Sequence, residues 1–356
     1  MGEGLPTLRQ VAELAGVHVG TASRALSDDR AHLVSDETRA RVRTAAETLG
    51  YRANVLARGL RRGVTATLGI VVPDLANPFT VSVLRGIEAE ALANARTPLI
   101  AESHDEAERL KGALERMLDN RVDGIIVSAV RLGDEALICE LERRLPVVLA
   151  VRGFSDLAGE REESAVPHYE VLPDDVLGGR LAAEHLIRLG HTRIAQLAGA
   201  SDNSSFARRS AGYRQAVAHN PGVADVSGAE PACDSTVAEG VRLGSLLFDR
   251  PPASRPTAVF AHNDLLAVGV IDALRQAGLR CPDDVSVVGY NDAPLIDHID
   301  PPLTTVRLPS FQVGAQAARL AFELSSGARP RAHRTVLEPE LIVRGSTAAA
   351  PAAGAL

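Results

Sequence analysis

TLRQVAELAGVHVGTASRAL, residues 7–26, is the stretch that decides the fold of the first part of this chain. Apolar residues recur at helical spacing up to Gly16 and again after it, which predicts two short helices joined by a tight turn. Ala12 and Gly16 stand where closely packed helices leave no room for a larger side chain. The pattern is typical of a helix-turn-helix, whose second helix enters the major groove of DNA.

The second of these helices carries most of the candidate contacts with DNA. Thr7 is placed to cap the first helix, and we include it among the candidates. The second helix is predicted to present six residues outward: His18, Val19, Gly20, Thr21, Ser23 and Arg24. Val19 and Gly20, the pair expected to be most exposed at its start, would read bases by methyl contact or close backbone approach. Arg24 is expected to contact a phosphate or a base edge.

Two further stretches, VSDETRARV (34–42) and GYRANVLARGL (50–60), continue the pattern. Together with residues 7–26 they resemble the LacI family of bacterial transcription regulators, whose motif runs V-A-x-x-A-G-V-S-x-x-T-V-S-R-V-L, then V-S-x-x-T-R-x-x-V, then G-Y-x-P-N-x-x-A-R-x-L. His18 replaces the serine that usually caps the second helix, so a weaker start of that helix is expected. Ala53 and Gly59 replace Pro and Ser, which is expected to loosen the free hinge.

The resemblance implies how the chain meets DNA. A homodimer would place two such helices on the half-sites of a near-palindromic operator, with two hinge segments at its centre. Leu60 matches a side chain that the family pushes between base pairs from the minor groove, which kinks the duplex. The further contact positions that the resemblance implies are Ser35, Thr38, Tyr51, Asn54, Ala57, Arg58 and Leu60.

The distribution of charge agrees with a DNA-binding head. The formal net charge of the 356-residue chain is −7. Residues 1–63 carry ten arginines and seven acidic residues, a net charge of +3, which leaves −10 for the remainder. A basic head on an acidic body is expected when only the head contacts phosphates, because counterion release there contributes much of the binding free energy.

Several classes of protein are not expected from the sequence. The start, MGEGLPTLRQ, has no signal-peptide pattern, and no stretch approaches the ~20 apolar residues that cross a membrane, so a cytoplasmic location is expected. The three cysteines lie far apart and the ten histidines show no metal-ligand spacing, so we expect neither disulfides nor a metal site. No cofactor is expected either, because no nucleotide-binding glycine motif is present.

After Gly63, short apolar runs alternate with helical stretches, and the alternation restarts after residue 173. This pattern predicts two α/β lobes, each a doubly wound parallel sheet covered by helices. Segments such as VPDLANPF (72–79) and PTAVFAHNDLLAVG (256–269) resemble the periplasmic-binding-protein-like core of LacI-family regulators. In such cores the chain crosses between the lobes three times, and crossings are expected near Pro173, Pro301 and residue 336.

The predicted organisation follows from these crossings. Residues 1–52 form the all-α head and 53–63 the hinge. Residues 64–172 and 302–335 form the first lobe, and residues 173–301 and 336–347 form the second. RTVLEPELIVRGST (334–347) is expected to be the last strand of the second lobe, and 348–356 a disordered tail. GFSDLAGEREESAVPHYEV (153–171) is interpreted as a long surface loop.

A small molecule is expected between the lobes, against the carboxyl ends of the strands. The residues at positions that match the family's ligand-lining positions, or that follow the relevant strands, are Phe79, Arg152, Ser205, Arg209, Asn263, Asn291 and Asp292. By resemblance the ligand is a sugar or sugar derivative. Arg152 and Arg209 facing one cavity leave open an acidic ligand, because paired guanidinium groups repel each other unless an anion lies between them.

The sequence therefore predicts a DNA-binding repressor that is controlled by a small polar metabolite. An activator or a corepressor-dependent regulator stays open, because operator position decides the sign. A solute-binding protein for transport is a remote alternative, since such proteins have no DNA-binding head. Asp292, Asp297, His298 and Asp300 cluster like a catalytic group, but their Pro-rich surroundings are typical of a solvated loop, and no catalytic residues are predicted.

Overall fold

The computed structural model of the protein describes residues 6–27, 31–51, 65–154 and 168–351. The chain divides into two units between Thr65 and Ala66. No helix in the described ranges is long and apolar enough to span a membrane.

The first unit contains three α-helices among its described residues. They are α1 (Leu8–Leu14), α2 (Val19–Ala25) and α3 (Asp36–Thr48), with a 3-10 turn at Ala31–Leu33 before α3. Val11, Ala22 and Val42, one from each helix, are completely buried against one another. Gly16 has φ +64°, a left-handed conformation that glycine adopts without steric cost, so α1 ends in the predicted tight turn.

The second unit alternates strands and helices in three runs. The first run is β1 (Thr67–Val72), α4 (Pro78–Ala93), β2 (Thr97–Glu102), α5 (Ala107–Asp119), β3 (Gly124–Val127), α6 (Glu135–Glu142), β4 (Val147–Ala150) and β5 (Glu170–Pro173). The second run is α7 (Asp175–Arg188), β6 (Arg193–Leu197), α8 (Ser204–Ala218), β7 (Ala224–Asp225), α9 (Val237–Phe248), β8 (Ala258–Ala261), α10 (Asp264–Gln276), β9 (Ser286–Asn291) and β10 (Thr304–Arg307). The third run is α11 (Ser310–Ser325), β11 (Arg334–Leu337) and β12 (Glu340–Ile342).

These elements form two six-stranded sheets, one in each lobe. The strand orders are β11-β5-β4-β3-β1-β2 and β12-β10-β9-β8-β6-β7, and every pairing is parallel except that of β12 with β10. Neighbouring residues of one strand reach opposite faces: Ile125 packs under α5, whereas Ile126 packs under α4 and α11. Helices thus cover both faces of the first sheet, and the predicted pair of doubly wound lobes is confirmed.

The chain crosses between the lobes at places that differ in part from the prediction. β5 ends the first run at Pro173, where the first crossing was expected. The second crossing follows Arg307 rather than Pro301, because β10 pairs with β9 in the second sheet. The segment 334–347 is not a single strand: β11 joins the first sheet and β12 the second. Pro339, which cannot donate to a ladder, lies between them at the third crossing.

Two glycines let α11 pack closely against α4 on the first lobe. A Cβ on Gly86 of α4 would lie 2.0 Å from the carbonyl oxygen of Phe311, and one on Gly314 of α11 would lie 2.0 Å from that of Val83. The two helices therefore cross at backbone contact, which only glycine permits at these positions.

The predicted surface loop and tail are corrected where they are described. Phe154 and His168, at the two edges of the loop, are buried, and Glu170 already belongs to β5. Residues 155–167 lie outside the described residues, as do residues 352–356 of the tail. Residues 348–351 are held on the second lobe: the Ala348 amide donates to Ser286 Oγ at 3.0 Å, and the Ala350 amide donates to the Leu189 carbonyl at 2.8 Å.

Deleting residues 346–356 should lower the free energy of unfolding by at least about 2 kcal/mol, since several buried partners lose their hydrogen bonds. Ser346 Oγ accepts from the Thr304 amide at 2.8 Å and donates to the Val287 carbonyl at 2.6 Å. Urea unfolding of the full-length chain measures the loss. Deletion of 352–356 alone is the matched control and should change little. Equal stability of the two truncated chains would contradict this role of the segment.

Candidate functional site

The first candidate site is the exposed side of α2. His18 is the N-cap of this helix, and its Nδ1 accepts a hydrogen bond from the Gly20 amide at 3.1 Å. The prediction that the loss of serine weakens the helix start is therefore wrong. The imidazole nitrogen of His18 accepts the capping hydrogen bond in place of a serine oxygen. Thr7 caps α1 reciprocally with Gln10, whose side chain accepts from the Thr7 amide at 2.8 Å.

The remaining α2 residues differ in what they offer to DNA. Arg24 is exposed, and its Nε donates to the Gly20 carbonyl at 3.1 Å, which leaves the outer guanidinium edge toward solvent. Thr21 and Ser23 are half-exposed. Val19 and Gly20 were predicted to be the most exposed pair at the start of the helix, but both are only partly exposed. Val19 packs partly against the core of the head. His18 and Arg24 are therefore the most exposed of the predicted contacts on this side of the helix.

The other predicted DNA contacts are spread over the head. Ser35 caps α3 and bonds the Thr38 hydroxyl at 3.0 Å, so both lie at the start of that helix. Tyr51 packs partly against the head core. The predicted hinge contacts lie outside the described residues: Asn54, Ala57, Arg58 and Leu60.

The second candidate site is the cleft between the two lobes. The carboxyl ends of β1, β3 and β4 face those of β8 and β9 across it, together with the starts of α4 and α8. Six of the seven predicted ligand contacts line this cleft: Phe79, Arg152, Ser205, Arg209, Asn263 and Asn291. The cavity itself is about 60 Å³. A water needs roughly 10–15 Å³ of such space, so the cavity holds a few waters and a larger molecule requires the lobes to part.

Arg209 is the best-anchored side chain of the cleft. It is buried, and its Nε donates to Asp175 Oδ1 at 2.9 Å, while Nη1 donates to the His262 carbonyl. The guanidinium carbon lies 3.9 Å from the ring centre of Tyr290. Burial raises the pKa of Tyr290, so its hydroxyl stays protonated and donates to the same Asp175 oxygen at 2.8 Å. The guanidinium also lines the cavity.

The charge of the cleft is balanced within the protein. Arg152 binds Asp105 through both Nη nitrogens, with Nη2 at 3.1 Å from Oδ2. Arg209 has Asp175 as its own partner. The two guanidinium groups therefore need no anion between them, which removes the physical reason for an acidic ligand.

Two asparagines present unsatisfied polar atoms to the cleft. Asn263 caps α10, since its Oδ1 accepts from the Leu266 amide at 2.7 Å, but its buried Nδ2 has no partner among the described residues. Asn291 likewise buries Oδ1 without a described partner, at a position with φ 113°. A buried polar group without a partner costs about 1–3 kcal/mol, so a ligand with hydroxyl groups is stabilised by pairing with both.

Ser205 lies in the cleft but also joins the lobes. Its hydroxyl donates to the Val151 carbonyl at 3.1 Å, and the neighbouring Ser204 Oγ accepts from the Gly153 amide at 3.2 Å. Asp202 adds an ion pair with Arg131 at 2.7 Å. The start of α8 in the second lobe is therefore bonded directly to the first lobe at one side of the cavity.

Asp292 does not line this cavity of about 60 Å³, but it lines a neighbouring pocket between the lobes together with Phe79 and Asn291. Its carboxylate pairs with Arg307 at 2.6 Å and with Arg344 at 2.7 Å. A left-handed backbone at both Asn291 and Asp292 carries the chain away from the cavity after β9. Asp264, the first residue of α10, accepts from Thr305 Oγ1 at 2.6 Å, and burial raises its pKa to about 7.

Sequence reasoning missed the residues that position the cleft arginines. Asp105 and Asp175 neutralise Arg152 and Arg209, yet each lies tens of residues from its partner, and no local pattern connects them. Asn77, which also lines the cleft, caps α4 by accepting from the Phe79 amide at 3.1 Å. Its signal was present, since asparagine followed by proline is typical of a helix start.

Comparison with known proteins extends over both units. Residues 7–54 match the family described as bacterial regulatory proteins, lacI family, and residues 183–347 match the periplasmic binding protein-like domain. The ribose operon repressor of Escherichia coli (strain K12) is 32% identical over 342 residues, which cover 96% of this chain and 100% of that protein.

Two solved structures are similar to this chain over nearly its whole length. The lac repressor dimer bound to operator and the anti-inducer ONPF has a TM-score of 0.84 at 27% identity, covering 97% of this chain and 99% of that chain. The complex of the transcriptional regulator CelR with cellobiose has a TM-score of 0.68 at 34% identity, covering 96% of this chain and 99% of that chain.

Replacing His18 with alanine should destabilise the start of α2, because the Gly20 amide loses its cap. An N-cap contributes about 0.5–2 kcal/mol, so amide exchange within α2 should quicken roughly 2- to 30-fold. Hydrogen exchange of the full-length protein measures this. His18→Ser is the control, since a serine hydroxyl also caps a helix, and its amides should exchange at the wild-type rate. If alanine and serine behave alike, the cap is not what stabilises the helix start.

Proposed function

Because this chain belongs to the LacI family of bacterial regulatory proteins, we propose that it is a DNA-binding transcriptional repressor controlled by a small, neutral, polar metabolite held between its lobes. The observation that carries the proposal is the 32% identity to a repressor over 96% of the chain, helix-turn-helix included. Repression is favoured over activation because that relative is named a repressor. The proposal assigns no reaction to the chain, whose relatives are DNA-binding regulators rather than enzymes, and it places the protein with its operator in the cytoplasm.

The head supplies the recognition of DNA. Arg24 has its outer guanidinium edge free for guanine or a phosphate, and Thr21 adds a hydroxyl and a methyl group beside it. Asn54, Ala57, Arg58 and Leu60 are proposed to act at the centre of the operator, with Leu60 as the wedge in the minor groove. Two heads on one near-palindromic operator require a homodimer.

The first lobe offers a surface for the second copy. β2 is an edge strand of its sheet, and it exposes Leu99 and Ile100. Leu92, near the end of α4, is 80% exposed. An exposed apolar edge strand invites pairing with another chain, and a second copy of this protein covers it in the proposed dimer.

The cleft favours a neutral ligand with several hydroxyl groups. The Arg209 guanidinium and Asn263 Nδ2 are donors, and Asn291 Oδ1 is an acceptor, so alternating hydroxyl groups can pair with all three. Asp105 and Asp175 already neutralise the two arginines. Phe79 supplies an apolar face, which suits the carbon side of a sugar ring.

DNA selected by the full-length protein from a random duplex library should converge on a near-palindromic sequence. Arg24→Ala should weaken binding to that sequence about 10-fold or more, the effect of one good base or phosphate contact. Arg9→Ala, an exposed arginine on α1, is the comparison for charge alone. A chain lacking residues 1–63 should not bind at all. Retained binding by that truncated chain, or a consensus without symmetry, would contradict the proposal.

Calorimetric titration with neutral pentoses, hexoses and disaccharides, and with sugar acids and sugar phosphates, tests the ligand class. A neutral sugar should bind most tightly. Arg209→Lys keeps the charge beside Asp175 but loses the fork, so affinity should fall about 10- to 100-fold, the value of a charged hydrogen bond. Arg214→Ala, exposed on the same helix, should bind like the original protein.

Tighter binding of the acidic members would overturn the assignment of a neutral ligand. Unchanged affinity in Arg209→Lys would show instead that the ligand lies elsewhere.

A further inference from the structure

Four side chains with metal-binding chemistry meet in the first lobe, away from the cleft cavity. Glu135, Cys139 and Glu142 lie on α6 at positions i, i+4 and i+7, a spacing that puts them on one face of the helix. His168, from the segment before β5, packs against this face. Donor atoms of Cys139, Glu142 and His168 all lie within 4.8 Å of one another.

The histidine is enclosed between the two carboxylates. Its Nδ1 lies 2.9 Å from Glu142 Oε1, and its Nε2 lies 3.5 Å from Glu135 Oε1. The side chain is only 3% exposed. Nε2 is buried, and the Glu135 carboxylate at 3.5 Å is too distant for a well-formed hydrogen bond to it.

We propose that Cys139, Glu142 and His168 form a binding site for Zn²⁺ or a similar borderline-soft divalent metal ion, with Glu135 facing the other ring nitrogen of His168. One thiolate, one imidazole and one carboxylate are donors that tetrahedral zinc sites use. Hard ions such as Mg²⁺ and Ca²⁺ prefer oxygen donors alone, so the cysteine and histidine select against them.

The distances require a modest contraction. Zinc bonds of about 2.0–2.3 Å put tetrahedral donors roughly 3.3–3.8 Å apart, so donors within 4.8 Å of one another need to close by about 1 Å. Cys139 and Glu142 share one helix, and rotation about their side-chain bonds provides this movement. The carboxylate that faces the other ring nitrogen of His168 then orients the imidazole, as outer-sphere carboxylates do in zinc sites.

A second thiol, that of Cys233, provides a comparison for this group of donors. Cys233 Sγ also lies near a carboxylate, 3.2 Å from Glu239 Oε1. That carboxylate is already paired with Arg242 at 2.8 Å, and no histidine completes a donor group there among the described residues. Cys233 is therefore a matched control: a cysteine beside a glutamate, without the imidazole.

The test uses the full-length protein and Zn²⁺ alone, in competition with a chromogenic chelator. One equivalent of Zn²⁺ per chain should be withdrawn from the chelator, and Co²⁺ should give the charge-transfer absorption of a cobalt–thiolate bond. Cys139→Ser should abolish that absorption and weaken Zn²⁺ binding by more than the roughly 10- to 100-fold typical of a lost outer-shell partner. Cys233→Ser should leave both unchanged.

His168→Gln provides a second variant, which should also lose Zn²⁺ affinity while retaining the thiol. Cys139 is only partly buried, so Cys139→Ser carries the test even if the histidine variant does not fold. Failure of the original protein to compete with the chelator would overturn the proposal. So would Zn²⁺ binding by Cys139→Ser that equals that of the original.

Discussion

The buried ion pair between Arg209 and Asp175 is the interaction on which the cleft depends. Asp175 is completely buried, and a charge in that position is tolerated only when it is paired and hydrogen-bonded. The pair forms because α7 and α8 cross at backbone contact: a Cβ on Gly179 would lie 2.1 Å from the Arg209 carbonyl oxygen. Tyr290 adds a hydroxyl to the same carboxylate and a ring beneath the guanidinium, so α7, α8 and β9 converge on one point.

This anchoring connects the ligand to the relation between the lobes. Arg209 and Ser205 lie on the same face of α8, one turn apart, and Ser205 bonds the Val151 carbonyl of the first lobe. The cavity of about 60 Å³ beside these bonds is too small for a sugar, so a ligand on Arg209 has to change the contacts that join α8 to the first lobe. A ligand shifts DNA affinity only through such a difference between two arrangements, and the coupling is reciprocal.

Much of this could be predicted from sequence, and the failures have physical causes. Periodic apolar residues around Gly16 and the strand–helix alternation were sufficient for the head and both lobes, because those signals are local. The second crossing was misplaced because Pro301 resembles a boundary, whereas strand pairing, a long-range property, keeps β10 in the second lobe. The cleft arginines were found from matching positions and strand ends, but their partners Asp105 and Asp175 were not, since only the fold brings them together. Asp292 lies outside the cavity of about 60 Å³ because the left-handed backbone after β9 redirects its side chain.

If the cleft and the operator are linked, each ligand changes the affinity of the protein for the other. Operator affinity of the full-length protein, followed by fluorescence anisotropy, is measured with and without the neutral sugar that binds most tightly. The affinity of the protein for that sugar is then measured with and without saturating operator. Both affinities should change by the same factor, about 5- to 150-fold, because linkage between two sites is reciprocal. A sugar that fills the cleft and leaves operator affinity unchanged would contradict this linkage.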